Sequence, residues 1–321
     1  MLKKILKWIG VIVLLFLLIL ILTITLRQNR KFDAAYPNIH SVKDSAVLAR
    51  GKYLVFGPAH CADCHGPAGS ENLVNKGQEV ALSGGKYFDI PLGKYYVKNI
   101  TPDKETGIGN IADSQIARSL RYGVGYDGRV LIDFMPFHNT SDEDLTAIIS
   151  YIRTMTPVKN EVPKNSYTIL GRFIKAFILN PTGPDGEVPV SVKPDSTVAY
   201  GKYLATSVAN CRGCHTNRDL KTGAFNGPFF AGGFEMESMT DKKYIFHTPN
   251  ISPDKKTGQI VDWSEAVFLQ RFRNGKIYPQ SPMPWGPFSR MSDMEIKAIY
   301  RYLQTVTPFE KKIDQIVEVK N

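Results

Sequence analysis

The sequence predicts an all-α protein, with two small helical domains in tandem behind an N-terminal transmembrane helix. Three observations predict it. The eighteen residues from Ile9 to Leu26 carry no charge, a run long enough to cross a bilayer. The rest of the chain repeats itself at an offset of about 150 residues, which is the signature of a duplicated domain. Within each copy, apolar residues recur at helical spacing between glycine- and proline-rich loops.

The apolar run continues through Thr23-Ile24-Thr25-Leu26 to Arg27, with no small-residue cleavage site. This predicts an uncleaved anchor over 1–31 rather than a signal peptide. Lys3, Lys4 and Lys7 before the run are matched by Arg27, Arg30 and Lys31 after it, so charge does not set its orientation. Those residues also account for six of the ten net positive charges. The basicity is therefore membrane-flanking charge, and no nucleic-acid partner is expected.

The repeat pairs Ala49-Arg50-Gly51-Lys52-Tyr53-Leu54 with Ala199-Tyr200-Gly201-Lys202-Tyr203-Leu204, and Asn99-Ile100-Thr101-Pro102-Asp103 with Asn250-Ile251-Ser252-Pro253-Asp254. It also pairs Met135-Pro136 with Met283-Pro284 and the 151–157 segment with 302–308. The domains read as 32–158 and 195–321, joined by 159–194. A first helix is expected over 44–56 and 195–208, and a middle helix over 113–123 and 263–274. The last helix starts at Ser141-Asp142-Glu143-Asp144 and at Ser292-Asp293-Met294-Glu295, both with the capping-box pattern. Leu145, Ile148, Ile149 and Ile152, and then Ile296, Ile299, Tyr300 and Leu303, form the core stripes behind those starts. In the connection, Ile169 to Leu179 is apolar except for Arg172 and Lys175. It reads as a short helix, either packed between the domains or lying on a membrane or partner surface.

Cys61-Ala62-Asp63-Cys64-His65 returns as Cys211-Arg212-Gly213-Cys214-His215, and the two pentapeptides use every cysteine in the chain. C-x-x-C-H is the attachment signal for haem c: two thiols bond the porphyrin and the histidine offers its imidazole to the iron. A zinc site would want its two thiol pairs close together, whereas these lie 150 residues apart in separate repeats. A dithiol redox site needs no histidine after its second cysteine, yet both pairs have one. Two covalently attached haem c groups are expected, with Cys61, Cys64, Cys211 and Cys214 as attachment points and His65 and His215 as proximal ligands. Haem c attachment belongs to oxidising compartments, so the domains are expected on the periplasmic side of a bacterial inner membrane.

For the sixth ligand, a methionine thioether suits electron transfer because a soft donor stabilises ferrous iron. Met135 is the only methionine between the first motif and the last helix of its copy. The second copy offers Met236, Met239, Met283, Met291 and Met294, of which only Met283 is followed by proline and matched by the repeat. Met135 and Met283 are therefore the expected ligands. Proline would hold the preceding residue extended and present its side chain from a loop. His138 is the rival in the first copy, while His60 and His247 read as solvent or packing residues. Arg118, Arg121, Arg271 and Arg273 on the middle helices are candidates for haem propionates or for a solvated helix face.

With these residues the chain resembles the cytochrome c subunits of membrane-bound periplasmic gluconate and alcohol dehydrogenases, over roughly 45–158 and 198–309. The resemblance rests on the haem motif, the Asn99 to Gly109 segment, Arg121-Tyr122-Gly123-Val124-Gly125-Tyr126-Asp127-Gly128-Arg129 and Met135-Pro136. It implies class I cytochrome c-type domains, each around a His/Met haem. It also implies electron relay from a dehydrogenase or quinol-oxidising donor to an oxidase or soluble cytochrome acceptor, with no substrate chemistry in the chain itself. Two features depart from that family: there are two haem domains rather than three, and Trp263 has no counterpart at Ile111-Ala112. The alternative is a di-haem peroxidase, which needs one displaceable axial ligand.

Overall fold

The computed structural model describes residues 1–135, 137–219, 223–238 and 240–320. Helix α1 (Leu2–Arg27) is long and apolar enough to cross a membrane, and it stands clear of the rest of the fold except near its C-terminal end. The hydroxyls of Thr23 and Thr25 donate to the carbonyls of Ile19 and Ile21, so neither polar group is left open on the helix surface.

The first copy runs α2 (Ser45–Phe56), α3 (Cys61–His65), α4 (Glu71–Asn75), β1 (Tyr87–Ile90), β2 (Gly93–Tyr96), α5 (Asp113–Tyr122), α6 (Asp142–Thr154) and β3 (Ser166–Tyr167). Helix α7 (Ile169–Phe177) follows. The second copy runs α8 (Val198–Tyr203), a π-helical turn over Leu204–Val208, α9 (Cys211–Cys214), β4 (Glu235–Glu237) and β5 (Tyr244–His247). It closes with α10 (Glu265–Arg273), α11 (Trp285–Ser289), α12 (Asp293–Leu303) and β6 (Val317–Val319).

The all-α expectation needs one correction. Each copy carries a three-stranded antiparallel sheet, ordered β1-β2-β3 and β4-β5-β6. Tyr87 pairs with Tyr96, Glu235 with His247, and Tyr244 with Val319. The third strand comes each time from the chain beyond the last helix, so β3 lies inside the stretch read as a connection. Aromatic and β-branched residues at Tyr87-Phe88, Tyr95-Tyr96 and Tyr244-Ile245-Phe246 suit a pleated surface. Runs of four are too short to show their period in the sequence.

In both copies the first and last helices cross at a glycine. A Cβ on Gly51 would sit 2.0 Å from the carbonyl oxygen of Ala147, and one on Gly201 would sit 1.9 Å from that of Ala298. The duplicated Gly-Lys-Tyr thus marks a backbone-on-backbone contact. Gly201→Ala should force the α8–α12 pair apart and cost about 3 kcal/mol. Thermal unfolding followed by circular dichroism checks this, and an unchanged midpoint would contradict the contact.

The predicted stripes are buried, Tyr300 only partly, and they join one core that runs through both copies. Polar bonds across that junction are reciprocal. Tyr53 of α2 donates to Glu295 of α12, and Tyr203 of α8 donates to Asp144 of α6 at 2.8 Å. The amide of Ser292 donates to the Tyr53 hydroxyl, and that of Ser141 to the Tyr203 hydroxyl. Such an exchange of equivalent groups is the mark of a local two-fold relation between the copies. Arg50 sits at its centre, bidentate to Asp144 at 2.8 and 3.0 Å and 3.7 Å from Glu295. Burial opposes the guanidinium's charge, but Asp144 outweighs it and holds Arg50 firmly protonated. Burial, and then the neighbouring carboxylates, pushes the Tyr53, Tyr200 and Tyr203 phenols up.

This cluster also corrects the capping expectation. Ser292 and Glu295 form a capping box at α12, but at α6 only Ser141 caps, accepting from the Asp144 amide. The Asp144 carboxylate is turned away from the cap, to Arg50 and Tyr203. Glu295, one methylene longer, reaches Tyr200, Tyr53 and its own cap at once.

Candidate haem sites

Each C-x-x-C-H motif opens on a residue in the left-handed region, His60 at φ 39° and Asn210 at φ 52°. Both residue types tolerate that conformation better than most. His60 bonds the Pro58 carbonyl and packs its ring edge-on to Phe288, while Asn210 accepts from the Gly213 amide.

The imidazoles that follow are held alike. His65 Nδ1 bonds the Lys98 carbonyl at 2.8 Å and His215 Nδ1 bonds the Pro249 carbonyl at 3.0 Å. A carbonyl can only accept, so Nδ1 carries the proton and Nε2 keeps its lone pair. Neither Nε2 has a hydrogen-bond partner among the described residues. Burial lowers the affinity of both rings for a second proton. Each is thus set as a neutral ligand.

The two carbonyls are fixed by the Asn-Ile-Thr/Ser-Pro-Asp repeats, whose role the sequence left open. Asn99 Oδ1 accepts from the Thr101 amide and hydroxyl, while its Nδ2 donates to Thr106 and to the Val158 carbonyl beyond α6. Asn250 repeats the pattern with Ser252, Thr257 and Phe309. Asparagine staples the loop behind the imidazole to the chain leaving the last helix. Paired glycines complete the support: Gly84 and Gly232 donate to the His65 and His215 carbonyls at 2.7 and 2.8 Å with φ of 71° and 69°. A Cβ on either would lie within 2.5 Å of a backbone oxygen. Gly84-Gly85 and Gly232-Gly233 were visible as a repeated pair, but glycine-rich loops surround them.

Met135 and Met283 are half-buried against the common core, as are Cys61 and Cys211. Each methionine carbonyl accepts from the amide two residues on, Phe137 at 2.9 Å and Trp285 at 2.8 Å. Pro284, at φ −76° and ψ 60°, has the conformation of an inverse γ-turn. Pro136 and Met239 lie outside the described residues. His138 is engaged at both ring nitrogens, by the Arg121 carbonyl and by Asp133, each at 2.9 Å. Both ring nitrogens thus face protein partners. His247 bonds Glu318 across the second sheet.

The middle-helix arginines have protein partners. Arg121 holds Asp142 and the Thr140 carbonyl, and Arg273 holds Asp293 and the carbonyls of Ser289 and Met291. Both therefore clamp the start of the last helix. Arg118 donates to the Gly125 carbonyl and covers the Tyr36 ring, and Arg271 lies 3.6 Å over Trp285.

No disulfide joins the cysteines, and burial, helped by a neighbouring acid or thiol, pushes the thiols of Cys61, Cys64 and Cys211 up to about 12. Reactive dithiols have lowered values instead. Among the described residues no three of His, Cys, Asp and Glu converge as a metal cage, which also disfavours zinc. Half-buried neutral thiols, a bare Nε2 beside them and a half-buried thioether fit haem c.

The fold and these sites define two cytochrome c domains in tandem. Residues 48–156 match the family model described as cytochrome c, and 197–303 match that of cytochrome c oxidase, cbb3-type, subunit III. The chain carries two covalently attached haem c groups. It is 28% identical to the fructose dehydrogenase cytochrome subunit of Gluconobacter japonicus, over 81% of this chain and 52% of that one. It is 28% identical to the gluconate 2-dehydrogenase cytochrome c subunit of Pantoea cypripedii, over 82% and 60%. A protein of Cereibacter sphaeroides named diheme cytochrome c-type is 25% identical, over 80% and 85%. The chain thus spans about half the length of the dehydrogenase subunits it matches.

Proposed function

We propose that the chain is a membrane-tethered electron carrier whose two haems are each closed by one histidine and one methionine: His65 with Met135, and His215 with Met283. The observation that carries this reading is the matched construction of the copies. Each has a histidine with Nδ1 committed to a carbonyl, and a methionine held in the same two-residue backbone turn. Haem c so ligated passes one electron at a time between ferric and ferrous iron. The protein's own part is to hold both ligands from fixed backbone, keep the ring nitrogens in one tautomer and exclude water behind them. The contacts of His138 at both nitrogens support Met135 over it in the first copy.

Helix α1 serves as a single-pass anchor in the bacterial inner membrane, with the haem domains on the periplasmic side. The names of the relatives support a dehydrogenase as electron donor, and a quinol-oxidising complex fits the same role. A terminal oxidase or a soluble cytochrome would accept the electrons. No feature of either site favours the peroxidase alternative, which needs the copies to differ at the sixth ligand.

Reductive titration of the haem-loaded chain tests the function. Two electrons per chain and no turnover of added hydrogen peroxide are expected. Catalytic peroxide consumption would overturn the carrier reading.

A further inference from the structure

Helix α7 is fastened firmly on one side and open on another. Gly171 lies on β2's turn so closely that a Cβ would come 1.9 Å from the Leu92 carbonyl oxygen. Ile174 is buried with Leu92, Tyr95 and Leu179 in a small second core. Thr168 caps the helix and also bonds the Pro91 carbonyl. The helix is therefore part of the first haem domain, not a spacer between the two.

Its other face is apolar and uncovered. Ile169 is 86% exposed, and Leu170, Phe173 and Phe177 are about 40% exposed. At helical spacing these four share an arc of about 100°. That arc adjoins the end of α1: Arg27 Nε donates to the Ala176 carbonyl, its guanidinium lies 5.5 Å from the Phe177 ring, and Arg30 donates to the Leu179 carbonyl. The level at which α1 meets its basic flank is thus the level of α7. Beside the arc stand Arg27 and Arg30 from the end of α1 and the exposed Arg172 of α7, while Lys175 lies on the packed side over the Tyr167 ring; neither α7 nor the 27–31 segment contains an acid.

We infer that α7 is an in-plane membrane helix. Ile169, Leu170, Phe173 and Phe177 enter the boundary between headgroups and acyl chains of an anionic bilayer, while the cations meet its phosphates. The inference rests on reading α1 as a membrane-spanning anchor. A second attachment fixes the tilt of the first haem domain over the membrane, where one helix alone would leave it free to swivel.

The test uses the full haem-loaded chain in vesicles of phosphatidylcholine and phosphatidylglycerol that carry a photoactivatable acyl chain, with adducts mapped by mass spectrometry. Adducts are expected along 2–27 and again on Ile169, Leu170, Phe173 and Phe177. Phe173→Asp with Phe177→Asp should reduce the second set several-fold while the haem absorption stays unchanged. Ile169→Asp, at the more exposed end, should do the same with less risk to folding. Adducts on 2–27 alone would overturn the in-plane helix and leave the anchor standing. Adducts on neither would remove the anchor reading, and the inference with it. Cross-linking of 169–178 to protein rather than lipid in native membranes would also overturn it.

Discussion

Replacing Arg50 with alanine is expected to destabilise the protein by about 2–4 kcal/mol, because it strands two buried carboxylates. Asp144 would lose both arms of a bidentate pair, and Glu295, only 2% exposed, would lose its nearest cation. Three phenols, of Tyr53, Tyr200 and Tyr203, remain to bond those oxygens, but a phenol supplies no compensating charge. Arg50 keeps about a quarter of its side chain in solvent, which places the cost at the lower end for a buried pair. At about 2–4 °C per kcal/mol the midpoint should fall by roughly 5–15 °C. The cluster spans both copies, so the variant should also separate their unfolding into two transitions. As a control, Lys256→Ala breaks an ion pair whose side chains are 72% and 59% exposed, and it should shift stability by less than about 1 kcal/mol. Scanning calorimetry distinguishes these outcomes. A single unshifted transition for Arg50→Ala would contradict the cluster's role.

Met283→Ala is expected to leave the second haem attached through Cys211 and Cys214 but to remove its sixth ligand. Loss of a thioether removes the donor that favours ferrous iron. One of the two reduction potentials should fall by on the order of a few tenths of a volt, within the roughly 0.8 V that axial ligands command. The other haem, with its ligands in the first copy, should keep its potential. Spectroelectrochemical titration reads both at once. Two unshifted potentials would remove Met283 from the iron, and a shift in both would mean that the sites are not independent.

Much of this was legible in the sequence because its signals are local or repeated. The haem motifs occupy five consecutive residues, and the stripes behind Ser141 and Ser292 keep a helical period through to Ile152 and Leu303. The duplication singled out Met283 from its competitors, which no single-copy argument could have done. What stayed hidden depends on contacts between distant parts of the chain. The sheets form from runs of two to four residues, and β3 and β6 pair only once the last helix has brought the chain back. The capping pattern at Ser141 has the same spacing as at Ser292, yet Arg50 and Tyr203 take Asp144 away from it. The contacts of Arg121 and Arg273 with Asp142 and Asp293 were not legible, because those acids lie about twenty residues further on. The apolar content of 169–179 was plain, but its place beside α1 is set by Arg27 and Arg30 reaching back across the fold.

The measurement closest to the central claim is near-infrared magnetic circular dichroism of the oxidised, fully haem-loaded chain, which reports the axial ligands of each iron. Two His/Met signatures in equal amount are the predicted result. A high-spin or bis-histidine haem in either copy would contradict it.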